Sequence, residues 1–352
     1  MSGCWERLAE LELVVEDYAL ERLELDVSSG FRRVSTVIGL QGAGFEGAGE
    51  DVTYDTPDHD RLLAAGPALP LAGSWTLESF CDHVEALELW PAPPEREPSR
   101  HYRVWAYESA ALDLALRQAG TSLHERLGIT PRPVRFVVSL RLGEPANIAP
   151  LRSRLDRYPA LQFKLDPTND WTETLAAEVA ATGAVESLDL KGQYKDSIVD
   201  VEPDPTLYEL LLDRFPGVWL EDPHTGVAAI DAMIEPVRDR VTWDAIIHGV
   251  EDIVGLPYAP RMVNVKPSRL GGLRPVLAAY AYCREHEIGM YGGGQFELGP
   301  GRGQIQYLAS LFHPDGPNDV APGGYNAPEP VAGLPDSPLP VAATPTGFCW
   351  EA

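Results

Sequence analysis

The sequence predicts an α/β protein, a (β/α)7β TIM-type barrel with an α+β capping domain in front of it. Three observations carry this. First, five short apolar stretches hold an ionisable residue near their carboxyl ends: residues 161–166 (LQFKLD) carry Lys164, 185–192 (VESLDLKG) carry Asp189 and Lys191, 218–223 (VWLEDP) carry Glu221, 241–247 (VTWDAII) carry Asp244 and 262–268 (MVNVKPS) carry Lys266. Short apolar runs of this kind read as buried strands. Second, Lys164, Asp189, Glu221, Asp244 and Lys266 are 25, 32, 23 and 22 positions apart, room for the crossover helix and loops that parallel strands require. Third, the pattern changes near Val134, from Val/Thr/Ile alternation around glycines to strand alternating with helix. Ionisable residues at the ends of successive parallel strands are where such a barrel keeps its chemistry.

Residues 1–127 are expected to form the cap. Within 5–57, stretches 11–25 and 31–40 read as antiparallel strands. The glycine-rich stretch 42–49 lacks the Lys-Ser/Thr of a phosphate loop and is expected to be a turn. Trp75, Leu77, Phe80, Val84, Leu87 and Trp90 recur at helical spacing, as do Leu112, Leu116, Leu123 and Leu127, predicting helices over 74–90 and 105–127. The proline-rich 91–100 between them reads as a surface loop. Residues 128–321 are expected to form the barrel. Its first strand falls at 134–140, its seventh at 289–291 and its eighth near 319–320, with helices at 171–182, 207–214, 273–287 and 302–312. The proline-rich tail 322–352 is expected to pack back across the molecule.

Composition limits the function classes. The chain has 352 residues, 44% hydrophobic and 23% charged, ordinary for a globular protein. A net charge of −25 disfavours nucleic acid, whose phosphates need Lys and Arg, and anionic membrane surfaces. It fits a soluble or salt-adapted surface. Cys4, Cys81, Cys283 and Cys349 form no CxxC pair, and free thiols in a reducing cytoplasm are expected. The first residues show no basic segment followed by an apolar core, and no apolar run approaches the ~20 residues that span a bilayer.

Asp189, Glu221 and Asp244 are expected to converge at one barrel mouth. Three close carboxylates raise one another's pKa unless a cation sits among them, and hard oxygen donors without His or Cys favour Mg²⁺. The alternative is that each caps a helix or pairs with Lys or Arg. Lys164 and Lys266, on strands two and six, flank the carboxylates from opposite sides; they face each other across a substrate or serve as salt bridges. Side chains two apart share a strand face. Lys191 therefore points in beside Asp189, Asn264 lies on the face of Lys266, and Asp222 points away from the mouth. His224 and His248 follow strand ends as loop residues.

The order Lys, Asp, Glu, Asp, Lys, with LEDP and NVKPSRLGG, resembles the enolase superfamily, in its mandelate racemase/muconate lactonizing enzyme family and nearest the o-succinylbenzoate synthase and muconate cycloisomerase branch. GGGQFELGPGR (292–302) resembles the GGMxExGxGR segment of that branch, and GAGFEGAGEDVTY (42–54) resembles its capping domain. The resemblance implies a Mg²⁺-dependent lyase or isomerase that removes the proton α to a carboxylate. An enediolate follows, then dehydration, cycloisomerisation, racemisation or epimerisation. It implies Asp189, Glu221 and Asp244 as metal ligands, Lys164 and Lys266 as acid and base, and cap loops near 28–33 and 50–51 that shape specificity. Arg32 or Arg33 is expected to pair with a second substrate carboxylate, and Lys191, Asn264, Gln295 and Glu297 to contact substrate. The expected partner is a small-molecule carboxylate, and a homo-oligomer is expected.

Three positions depart from the family pattern. Strand two carries one lysine where Lys-x-Lys is usual; Lys164 is taken as the catalytic one, and if it is instead the first, Asp166 stands in the catalytic place. Lys191 replaces an Asn, either to bind a substrate carboxylate or to neutralise the acidic cluster. Gln295 replaces a Met. Two rivals remain: a Schiff-base barrel using Lys164 or Lys266 without metal, and a catalytically degenerate metal-binding barrel.

Overall fold

The structure, a computed structural model, describes residues 3–27, 31–194 and 201–351. Strands β1 (Glu12–Val15), β2 (Asp17–Asp26), β3 (Arg32–Gly42), β4 (Phe45–Asp51) and β5 (Gly73–Thr76) come first. β1 pairs antiparallel with β5, and β2, β3 and β4 form an antiparallel sheet in that order. The glycine-rich stretch is not the expected turn. Only Ala43 and Gly44 turn, both at positive φ, and β4 takes the rest. The glycines serve close packing: a Cβ on Gly47 would lie 2.3 Å from Leu114 N, and one on Gly49 would lie 2.0 Å from Ala106 O. Both atoms belong to the helix Ser99–Gln118, whose backbone reaches the sheet because no side chain intervenes. The expected helix over 105–127 is two, Ser99–Gln118 and Leu123–Leu127, parted by Gly120 at φ 64. The expected helix over 74–90 is confined to Leu77–Ala86, because β5 takes the residues before it.

The second half is a (β/α)7β barrel. Strands β6 (Val138–Leu140), β7 (Phe163–Leu165), β8 (Val185–Asp189), β9 (Trp219–Glu221), β10 (Val241–Trp243), β11 (Met262–Asn264) and β12 (Gly289–Tyr291) lie side by side in chain order. Every neighbouring pair is parallel. The sheet closes where the sequence places strand eight: Asn318 bridges to Phe136 and Asp319 to Gly293. Val137 N donates to Asn318 O (2.8 Å), and Asp319 N to Gly292 O (2.8 Å). Apolar side chains of these short strands, among them Phe163, Leu188, Trp243 and Val263, are buried.

The N-terminal sheet is fastened to the barrel by buried polar groups. The Glu50 carboxylate accepts from the backbone N–H of Leu298 (2.6 Å), Gly299 (2.9 Å) and Gly301 (3.0 Å) and from Ser35 Oγ (2.7 Å). It thereby satisfies the first turn of the helix Pro300–Phe312, where backbone donors have no partner within the helix. Glu108 accepts from Leu273 N (2.7 Å) at the start of the helix Leu273–Glu285. Asp51 pairs with buried Arg103 at 2.8 Å. Arg33 is fully buried and donates to the carbonyls of Thr53 (2.5 Å), Val52 (2.6 Å), Gln295 (3.0 Å) and Phe296 (3.2 Å). These contacts correct two expectations. Glu50 joins the two halves and Asp51 pairs with Arg103 within the first, instead of facing substrate, and Arg33 has its donors engaged by carbonyls, not by a second carboxylate.

The chain after the barrel runs back over it. Val134 and Leu339 exchange backbone hydrogen bonds, Gly347 O accepts from Leu123 N (3.2 Å), and Phe348 N donates to Asp113 Oδ1 (2.7 Å). Phe348 and Trp350 are buried. All four cysteines are unpaired. Among the described residues, no helix is long and apolar enough to cross a membrane.

Candidate active site

The strand ends deliver the expected side chains to one buried place. Lys164, in the middle of β7, points into the barrel. Its Nζ bonds Glu221 Oε1 and lies 3.3 Å from Asp189 Oδ2 and 3.7 Å from Asp319 Oδ2. Asp189 ends β8, Glu221 ends β9, and both are fully buried. Their carboxyl groups are within hydrogen-bonding reach of each other, an approach that needs a shared proton or a cation. Tyr291, ending β12, donates its hydroxyl to Glu221 Oε2.

Asp222 does not point away. It adopts φ 48 just past the end of β9, so strand alternation no longer governs it. One oxygen each from Asp189, Glu221 and Asp222 lie within 4.8 Å of one another, the spacing of a metal-holding trio. Asp222 also accepts from the N–H groups of Asp244 (2.9 Å) and Ala245 (2.8 Å). Asp244 is differently engaged. Its Oδ1 accepts from Arg269 Nη1 (2.5 Å), and its Oδ2 from Lys266 Nζ (3.0 Å) and Tyr194 Oη (2.9 Å). Lys191 points in as expected, with Nζ 2.5 Å from Asp189 Oδ2 and 3.6 Å from Asp166 Oδ2. That contact favours the neutralising role.

The electrostatics are those of a crowded anionic site. Burial opposes charge on Lys164, but Glu221, Asp189 and Asp319 outweigh it and hold the ammonium well above the usual lysine range. Burial pushes Glu221 well up, helped by Asp189 and Asp244, and pushes Asp222 up to about 7, helped by Asp244 and Asp189. Asp189 is held well below the carboxylate range against burial, by Lys191 and Lys164. Burial and then the Arg269 guanidinium bring Lys266 down, against Asp244. Six carboxylates (Asp166, Asp189, Glu221, Asp222, Asp244, Asp319) meet four cations (Lys164, Lys191, Lys266, Arg269). The carboxylates outnumber the cations, and a divalent ion among them would favour the ionised forms of Glu221 and Asp222 that burial and their neighbours oppose. Buried hard oxygens of this kind fit Mg²⁺.

The remaining expected residues divide. Asn264 is buried with neither side-chain amide atom partnered, and buried Gln295 has an unpartnered Nε2. Both keep polar atoms available to a ligand. Glu297 accepts from Gln295 N (2.6 Å) and pairs with Arg302 (3.1 Å). Arg32 is largely exposed and pairs with Asp26 (3.1 Å) and Glu24 (3.7 Å). His224 is enclosed by Tyr208 Oη and Val201 O, and His248 bonds Asp252 through its backbone. Sequence reasoning placed Asp222 outside the site and passed over Asp319, Tyr194, Tyr291 and Arg269 as site residues. The last was detectable: it follows Lys266 by three residues in NVKPSRLGG, and the one-turn helix Pro267–Leu270 folds it back onto Asp244.

Comparison with known proteins agrees with this geometry. Residues 6–126 match the N-terminal domain, and 130–327 the C-terminal domain, of a family described as a domain of unknown function, DUF8230. An N-succinylamino acid racemase from Thermus thermophilus is 26% identical over 333 residues, covering 90% of this chain and 86% of that protein. An o-succinylbenzoate synthase from Enterococcus faecalis is 25% identical over 300 residues, covering 79% and 76%. A solved structure of an enolase-superfamily member from Listeria innocua superposes with a TM-score of 0.64 at 19% identity, covering 88% and 86%. The cap and barrel thus share the fold of that enolase-superfamily structure, and the chain belongs to the DUF8230 family.

Proposed function

We propose that the protein removes the proton α to the carboxylate of a small-molecule substrate, with Mg²⁺ as cofactor and Lys164 and Lys266 as the acid/base pair. One observation carries the reading: two buried lysine side chains reach one carboxylate cluster from strands two and six, and in that cluster carboxylates outnumber cations. Asp189 and Glu221 hold the ion. Asp244 is the third ligand that the resemblance implies, and Asp222 is the third that the distances favour. When bound, the ion supplies positive charge to the carboxylate oxygens on which negative charge develops.

The chain's own residues do the rest. A carbon acid beside a carboxylate is very weak, so fixed cations must stand where the charge will appear. Lys164 and Lys266 each serve one face of the α-carbon; the neutral amine takes the proton and the ammonium opposite steadies the enediolate. Tyr291 fixes Glu221, and Arg269 with Tyr194 fixes Asp244. Asn264 and Gln295 offer the open polar atoms that orient substrate. Dehydration, cycloisomerisation and racemisation share this first step, and the relatives' names, a synthase and a racemase, span two of those outcomes. A metal-free Schiff-base reaction has less support, since both lysines are ion-paired.

The test is solvent exchange. In D₂O with Mg²⁺, the α-proton of an accepted N-acyl amino acid should wash out by NMR, and EDTA should stop it. Exchange that survives thorough chelation, or borohydride trapping of a lysine adduct, would remove this reading.

A further inference from the structure

The end of β6 brings a further cation to the mouth of the barrel. Along residues 138–142, Val138, Leu140 and Leu142 are buried, whereas Ser139 and Arg141 are half-buried. This alternation puts Arg141 on the face of Ser139, and Ser139 stands opposite Lys164 in the ladder between β6 and β7. Asp166 N donates to Leu140 O (3.3 Å), so the ladder continues past the strand ends and sets Arg141 beside Asp166. Burial raises the Asp166 carboxyl, and Lys191, Lys164 and Arg141 all oppose that rise. Arg141 thus joins a row of charges that runs through Asp166 and Lys191 to Asp189 and Lys164.

Arg141 differs from its charged neighbours in having its donors open. Lys164, Lys191, Lys266 and Arg269 each bond a carboxylate. Among the described residues Arg141 donates no hydrogen bond, and its buried Nε has no acceptor. Its ion pair with Glu144 spans 4.0 Å between side chains that are 35% and 80% exposed, where attraction is weak. Asp166 does not close the fork either, since its Oδ1 is buried without a partner and its Oδ2 faces Lys191 at 3.6 Å. The arginines expected to take a second substrate carboxylate are engaged elsewhere, Arg33 by four carbonyls and Arg32 by Asp26 and Glu24. An open guanidinium fork matches the two oxygens of a carboxylate. Resting on the α-proton reading above, we propose that Arg141 is a specificity-determining residue that binds a second carboxylate of the substrate, remote from the α-carbon, at the end of strand one.

The probes are N-malonyl-, N-succinyl- and N-glutaryl-L-valine, each beside its terminal carboxamide, which keeps the shape and removes the charge. Binding to the full chain with Mg²⁺ is read by calorimetry, which needs no turnover, and α-proton exchange is followed by NMR in matched samples. At one chain length or more the carboxylate should bind about tenfold more tightly than its carboxamide. Arg141→Met should cancel that ratio by weakening the carboxylate alone, and its affinity for Mg²⁺ alone should match wild type. Arg141→Lys keeps the charge without the fork and should restore part of the ratio, a graded response that a structural arginine would not give. A ratio near one at every length, no binding of any probe, a ratio unchanged in Arg141→Met, equal loss of both ligands, or a loss of Mg²⁺ affinity overturns the proposal. A ratio cancelled by Arg141→Met without exchange in wild type supports Arg141 and refutes the reaction; exchange with a ratio near one keeps the reaction and refutes Arg141.

Discussion

Glu50→Ala removes the carboxylate that joins the N-terminal sheet to the barrel. Three backbone N–H groups, of Leu298, Gly299 and Gly301, lose their acceptor, and so does Ser35 Oγ. Glu50 is fully buried, so solvent does not screen the loss. A donor left unsatisfied costs about 1–3 kcal/mol. Water entering the small space vacated holds each near the low end, which gives about 3–5 kcal/mol in all. For a chain of this size each kcal/mol moves Tm by roughly 2 °C, so Tm should fall by about 6–10 °C in scanning calorimetry. Glu50→Gln keeps one acceptor oxygen and should lose less than half as much. The same loop carries Gln295 and Glu297, so substrate KM should rise in Glu50→Ala while Mg²⁺ affinity holds. A Tm within about 2 °C of wild type, or equal losses in the Gln and Ala variants, would show that Glu50 does not act as the helix cap.

Asp189→Ala and Glu221→Ala should each abolish Mg²⁺ binding in calorimetry, and Asp222→Asn beside Asp244→Asn identifies the third ligand as the one whose loss weakens binding more; retained affinity in both Ala variants refutes the site. Replacing the lysine that acts as base should cut α-proton exchange by about 10²–10⁴-fold, whereas Asp166→Asn should change it little; abolition by Asp166→Asn with Lys164→Ala sparing exchange would move the register by two. Arg33→Ala should lower Tm by leaving buried carbonyls without donors, and should not selectively weaken a dicarboxylate. Burial brings His313 down to about 4, where Asn318 Oδ1 lies 2.6 Å from Nδ1. The unfolded chain therefore binds a proton below about pH 6.5 that the fold refuses, and stability falls as pH drops from 6.5 toward 4, by about 3 kcal/mol at the bottom. His313→Gln should flatten that part of a urea-denaturation profile.

The barrel was legible because its signal is local. Each strand is a short apolar run, and Lys164, within its strand, turns inward as alternation predicts, whereas Lys191 reaches Asp189 from a left-handed residue past the end of β8. The eighth strand was readable from its place in the series. What failed depended on backbone turns or on contacts far away in sequence. Asp222 breaks the alternation rule because its left-handed φ follows the last residue of β9. The glycine stretch looked like a turn because nothing local announces a helix backbone at 2.0 Å from a missing Cβ. Arg33, Glu50 and Asp51 looked like substrate contacts because an isolated charge in a loop-rich segment does not reveal that a helix start or a row of carbonyls, more than two hundred residues on for Glu50 and Arg33, will meet it.

The contact between Lys164 and Asp319 sets an order of events during synthesis. Asp319 lies on the segment that seals the barrel between Phe136 and Gly293. Until that segment leaves the ribosome, β6 and β12 present unpaired edges, which invite pairing with other chains, and Lys164 lacks one of its three carboxylates. Sealing the barrel and completing the lysine's surroundings are thus one step, taken only once residue 319 has left the ribosome. A chain stalled before residue 318 would be both inert and adhesive.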